Sequence, residues 1–273
     1  MAISICMLNQ KGGVGKTSLC HHLSGALALS GQRVLLVDLD FQCNLTQSFL
    51  GWDTGRLFPE AASAAVLFNP SAKVSLLELI RPTEYENISI LPGCTEMKSY
   101  GYEDPAKAGL KQLAVKRFLS QVANSFDIVF LDCHPDVALP TWAAVAAANF
   151  VVIPVQPEDY GIQGVPLMLE VIAGMQAGLN PKLKLLGYVI TKRESNAYHR
   201  QFEAVLRKTY GDAVFEHVMP KSVQYAKAIT ARKPIAHWEC VEKKWETAIA
   251  SIAEELLNRV KRETTPLVIR EAI

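Results

Sequence analysis

No apolar run in the 273 residues is long enough to span a bilayer, so a membrane-spanning helix is not expected. No basic segment or small-residue cleavage site precedes the first apolar stretch, so no signal peptide is expected either. Cysteines are few and scattered. Cys6, Cys20, Cys43, Cys94, Cys133 and Cys240 show no C-x-x-C spacing, which argues against a disulfide framework or a zinc site and for reduced thiols in a cytosolic protein. Charge is sparse as well, at 20% of residues with a formal net of +1, while 49% of residues are hydrophobic. That content can bury one large core, and a single domain over residues 1–262 with a short tail, 263–273, is expected.

The small net charge conceals a division. Residues 1–180 hold 11 Lys/Arg against 16 Asp/Glu, and residues 181–273 hold 17 against 11. An anionic partner is therefore to be sought on the last third.

What is present is concentrated in residues 3–17, ISICMLNQKGGVGKT. An apolar strand-like run turns through Gly12, Gly13 and Gly15 and delivers Lys16, Thr17 and Ser18 into a helix-like segment. Glycines let the backbone wrap an anion with its N–H groups inward, and the helix N-terminus adds partial positive charge. Lys16 supplies a full charge to a phosphate, and the Thr17 hydroxyl is a candidate Mg²⁺ ligand. The common phosphate-loop pattern, G-x-x-x-x-G-K-[ST], asks for glycine at position 10, where Gln10 stands. A second lysine, Lys11, directly precedes the glycines; its other reading is a solvated loop cation.

Lys11-Gly12-Gly13-Val14-Gly15-Lys16-Thr17 resembles the deviant Walker A box of the ParA/MinD ATPases. The resemblance implies that Lys11 reaches the phosphates of ATP bound by a partner subunit, so that the site is completed only in a homodimer. It also implies a P-loop fold, and the alternation of strand and helix signals agrees, pointing to an α/β, mostly parallel, doubly wound sheet with helices on both faces.

The remaining boxes follow in order. Residues 34–37 read as a buried strand ending at Asp38, at the crevice end of such a sheet. Asp38-Leu39-Asp40-Phe41-Gln42-Cys43-Asn44 is similar to the family's D-x-D-P-Q-x-N, with Phe41 in place of proline. By that likeness Asp40 orients the attacking water and Asp38 holds a Mg²⁺-bound water; in isolation, two aspartates after a strand also suit a turn. A helix over 110–122 is predicted to feed a strand over 126–132 that closes on Asp132, the expected Walker B carboxylate, which can hold the Mg²⁺ through water. Cys133-His134-Pro135 then replaces the family's proline pair. A short helix is expected over 75–80, a strand over 88–91, a strand from 151, a helix over 162–176 and a strand over 185–190. The loop after Ile190 and the turn around Met219, Pro220, Lys221 and Ser222 would flank adenine, again by resemblance.

Lys192, Arg193, Arg200, Arg207, Lys221, Lys227, Arg232 and Lys233 make up most of the basic segment. Members of the family bind DNA without reading its sequence, which makes these residues candidates for phosphate neutralisation; the alternative is an ordinary solvated surface. The resemblance further implies a nucleoid-associated cytoplasmic protein served by a separate ParB-type adaptor, since only ten residues precede Lys11.

Two other readings stand beside it. A MinD-like membrane regulator would need a basic amphipathic tail. Here Ile249, Ile252, Leu256 and Val260 form a narrow stripe, Pro266 interrupts, and LVIREAI carries one arginine and one glutamate, so no stable membrane anchor is expected. An iron–sulfur dimer would have to use Cys94 and Cys133, neither in glycine-rich surroundings.

Overall fold

The computed structural model describes residues 2–51, 58–72, 74–158, 164–239 and 242–265. Cys240, Pro266 and the LVIREAI segment lie outside them.

Strand β1 (Ile3–Met7) leads through the glycine loop into α1 (Lys16–Leu29), then β2 (Val34–Leu39) and α2 (Asn44–Leu50). A largely irregular stretch holds β3 (Arg81–Pro82) and β4 (Ile88–Leu91). The chain continues through α3 (Ala114–Val122), β5 (Ile128–Cys133), α4 (Leu139–Ala147), β6 (Phe150–Val155), α5 (Gly164–Ala177) and β7 (Lys184–Ile190). Helices α6 (Ala197–Tyr210), α7 (Val223–Thr230) and α8 (Lys243–Thr264) complete it.

The sheet order is β3-β4-β2-β5-β1-β6-β7, with every pair parallel except β3 and β4. The chain moves outward from β1 through β2 and β4, returns to insert β5 beside β1, and leaves on the other side through β6 and β7. That reversal opens a crevice at the C-terminal ends of the central strands, where ligands of doubly wound sheets bind.

Pleating divides the core. Ile5 and Met7 of β1 face a layer containing Leu19 and Leu23 of α1 and Ile249, Ile252 and Leu256 of α8. Cys6 and Leu8 face the opposite layer, built from Val115 and Phe118 of α3, Ala143 of α4 and Met168 of α5. Because β1, β2, β5 and β6 are covered on both faces, they read as continuous apolar runs rather than alternating ones.

Several boundaries differ from expectation. The 110–122 helix begins only at Ala114, after a 3₁₀ segment over Gly109–Leu113, and Leu110 is 72% exposed. The helix expected over 75–80 is a single 3₁₀ turn, Leu76–Leu79. Strand β5 starts at Ile128 because Asp127 is held outside it by the Arg33 guanidinium. The stripe on α8 is buried against the core.

Candidate nucleotide site

The loop between β1 and α1 is fixed from several sides. Asn9 donates from Nδ2 to the Pro154 carbonyl at 2.7 Å, and its Oδ1 accepts from the Lys11 amide at 2.8 Å. Thr191, directly after β7, donates its hydroxyl to the Val14 carbonyl at 2.6 Å, while the Val14 side chain is buried. Gly13 (φ 74°) and Gly15 (φ 96°) take left-handed conformations that only glycine adopts without strain. No side chain caps α1, so its first amides are left for an incoming acceptor.

Lys16 is 6% exposed, and its Nζ donates to the Asn9 carbonyl at 2.8 Å and the Lys11 carbonyl at 3.4 Å. Burial lowers its pKa, opposed chiefly by the charge of Asp132. Lys11 extends outward to pair with Glu158 of the same chain.

Three carboxylates meet behind the loop, in different circumstances. Asp38 and Asp132 lie opposite each other in the register of β2 and β5. Asp38 is fully engaged: its Oδ2 accepts from the Thr46 amide at 2.8 Å and the Thr46 hydroxyl at 2.6 Å, and its Oδ1 from the Asp40 amide at 3.2 Å. Burial still pushes its carboxyl up to about 7. Asp132 has both carboxylate oxygens buried, with no hydrogen-bond partner by distance and angle among the described residues. Burial, then the Asp38 charge, drives its pKa well up, while the nearby Thr17 hydroxyl works the other way. Asp40 is 5% exposed, accepts from the Gln42 amide at 2.8 Å, and is raised mainly by burial.

An orphaned, desolvated carboxylate beside a threonine hydroxyl is a pair of hard oxygen donors that suits Mg²⁺. Asp132 and Thr17 fit that ion directly; Asp38 has already spent its oxygens on Thr46 and Asp40, which makes it the less available of the three residues considered for the metal.

Gly12, Gly13, Gly15, Lys16, Thr17, Ser18 and Asp40 line a cleft of about 1110 Å³ together with Pro220, Ser222 and Tyr225. Sequence reasoning missed Asn9, Thr46, Thr191 and Glu158. Asn9 and Thr191 each immediately follow an apolar strand run, which is the signal that could have found them.

The eight basic candidates separate. Lys192, Lys221 and Arg232 line the cleft, Lys221 and Arg232 while also being exposed. Arg193 and Arg207 share Glu203, and Arg207 also donates to the carbonyls of Phe215 and Glu216. Lys221 pairs with Glu194 and Arg232 with Glu84. Arg200, Lys227 and Lys233 are exposed. Cys94 and Cys133 are enclosed, with Cys133 Sγ 3.6 Å from Cys6 Sγ, so neither reaches a surface that two chains could share. Among the described residues no cluster of three His, Cys, Asp or Glu could hold a metal, and no helix is long and apolar enough to cross a membrane.

A family model described as an AAA domain matches residues 2–185. Over 257 residues the chain is 32% identical to the chromosome partitioning protein ParA of Myxococcus xanthus, covering 93% of this chain and 88% of that one. The chain belongs to the ParA/Soj family of P-loop ATPases. It is also 33% identical to the sporulation initiation inhibitor protein Soj of Bacillus subtilis, covering 85% of this chain and 89% of the relative. Among solved structures, cobyrinic acid a,c-diamide synthase from Mycobacterium smegmatis with bound ADP and magnesium superposes with a TM-score of 0.78 at 27% identity, over 96% of each chain. A Cyanothece McdA–ATP complex gives 0.81 at 20% identity over 94% of this chain and 96% of that one, a likeness of fold alone. The ParA/Soj assignment and the α/β, mostly parallel sheet thus agree with the reading of the first two sequence boxes.

Proposed function

We propose that the chain is a Mg²⁺-dependent ATPase of the partitioning type, which pairs around ATP, holds DNA without reading its sequence, and lets go when hydrolysis is stimulated by a separate adaptor. The observation that carries this reading is the Asp132 carboxylate, buried next to Thr17 without a hydrogen-bond partner by distance and angle among the described residues, close to a loop that presents Lys16 and uncapped helix amides. When bound there, the metal neutralises phosphate oxygens. Lys16 and the amides of residues 12–18 hold the phosphates, and Lys11 reaches those of the neighbouring chain's nucleotide. Asp40 orients water for in-line attack, Asp38 keeps the Asp40 loop in place, and Pro220 borders the base.

DNA contacts belong chiefly to Arg200, Lys227 and Lys233, which are exposed and form no ion pair among the described residues. Each phosphate contact adds about 0.9 to the salt slope of binding. The relatives named as chromosome-partitioning proteins support a cargo of that kind. The membrane-regulator reading gains nothing from α8, whose apolar stripe is spent on the core.

ATP-dependent DNA binding measured across salt concentrations, beside liposome flotation, tests the proposal. Binding to DNA alone, lost in Lys16→Ala, is expected. Flotation with ATP, or no response to ATP in either assay, would overturn it.

A further inference from the structure

Two departures from the family pattern, Phe41 in place of a proline and His134 in place of another, meet in space. Their rings stack with centroids 4.4 Å apart and an interplanar angle of 29°. Phe41 occupies the second position of a tight turn closed by the Cys43 amide donating to the Asp40 carbonyl at 2.9 Å. Proline is favoured there because it fixes φ. Phenylalanine has no such lock, and the same turn carries Cys43 at φ 56°, a conformation disfavoured for a side chain with Cβ. The turn therefore needs an external restraint.

His134 is well placed to give one. It directly follows β5, two residues after Asp132. Its Nδ1 accepts from the Asp136 amide at 3.2 Å, and its carbonyl accepts from the Thr141 hydroxyl at 3.3 Å, so the ring stands on a turn anchored to α4. Leu39, Met97 and Pro140 line, with both rings, a small pocket of about 180 Å³.

We infer that Phe41 and His134 are positioning residues for hydrolysis: their stack replaces the proline lock and ties the loop bearing Asp40 to the loop that follows Asp132. The role in hydrolysis rests on the proposed assignment of Asp40. The tie between the loops does not.

A double-mutant cycle separates the two. Single-turnover ATP hydrolysis and ATP affinity are measured for Phe41→Ala, His134→Ala and the pair. Each single change is expected to slow turnover about 2- to 12-fold, the range of one aromatic pair, with ATP affinity unchanged, and the double change is expected to be no slower than the worse single one. Phe41→Tyr should keep the wild-type rate, and in Phe41→Pro the rate should no longer respond to His134→Ala. Amide exchange at Gln42 and Cys43 is followed in parallel on the nucleotide-free protein and should rise about 2- to 12-fold in His134→Ala, although His134 bonds neither amide. Unchanged exchange there would refute the tie. Additive losses in turnover, or losses confined to ATP affinity, would refute the positioning role. Wild-type protein that binds ATP without hydrolysing it would instead remove the proposed function.

Discussion

The Thr46 hydroxyl donates to Asp38 Oδ2 at 2.6 Å and accepts from the Gly93 amide at 2.8 Å, so one side chain on α2 links β2 to the turn after β4. The link is tight: a Cβ on Gly93 would lie 3.0 Å from Asp38 Cγ and 3.1 Å from its carbonyl oxygen. Asp38 is thereby held by α2, and through its Oδ1 holds the Asp40 amide in turn.

Thr46→Val keeps the shape and removes both bonds. A buried group left unsatisfied costs roughly 1–3 kcal/mol, so chemical denaturation should show a loss of that size, while Thr46→Ser, which keeps the hydroxyl, should lose less than about 1.5 kcal/mol.

Asp132→Asn should separate stability from function. Its buried carboxylate has no hydrogen-bond partner by distance and angle among the described residues, and its ionised form, populated above the raised pKa, carries a desolvation cost that asparagine does not. Without nucleotide, thermal unfolding of this variant is expected a few degrees above wild type, at about 2–4 °C per kcal/mol for a chain this long. The added stabilisation by Mg²⁺ and ATP should disappear.

Gly25 sits in α1 where Pro234 crosses, and a Cβ there would lie 2.3 Å from Pro234 Cβ. Alanine normally gains up to ~1 kcal/mol over glycine within a helix, but overpacking costs ~1–3 kcal/mol. The second effect is the larger here, so denaturant melts should show Gly25→Ala to be destabilised.

His21 is fully buried on α1, with Nδ1 2.9 Å from the Ser48 hydroxyl, and burial lowers its pKa to about 4 against a smaller opposing effect of the Lys233 backbone. The folded protein thus binds its proton more weakly than the unfolded chain, whose value is 6.5. Its contribution is fully present above pH 6.5 and is lost as pH falls towards 4, by about 3 kcal/mol. Asp38, pushed up to about 7, acts in the opposite sense over much of this window. The difference between wild type and His21→Phe isolates the histidine: the variant's stability relative to wild type should rise by about 3 kcal/mol on going from pH 7 to 4.

Strands β1, β2 and β5 were legible because each is an apolar run that meets a polar residue at its C-terminal end, Asn9, Asp38 or Asp132, and burial on both faces requires such a run. The loop's glycines and Lys16 were legible for the same local reason. Nothing local announces that Asp38 is held by Thr46 eight residues on and Gly93 beyond it, that Arg207 is committed to Glu203 and two carbonyls, or that Phe41 and His134 stack. Those contacts join segments far apart in the chain, and spacing within one segment says which end of a strand a side chain occupies, not what will arrive beside it. The 3₁₀ turns between residues 95 and 107 were missed because their apolar residues follow neither helical nor strand periodicity, and the one over Gly109–Leu113 was read as helix because Leu110 and Leu113 continue the helical spacing of α3.

The central claim, that ATP joins two chains into the species that holds DNA, is tested most directly by light scattering on Asp40→Ala with Mg²⁺ and ATP, with and without a short random-sequence duplex. The account predicts the mass of two chains with ATP and of one with ADP, and retention of the duplex by the pair alone. A single-chain mass with ATP bound, or rapid turnover by this variant, would contradict it.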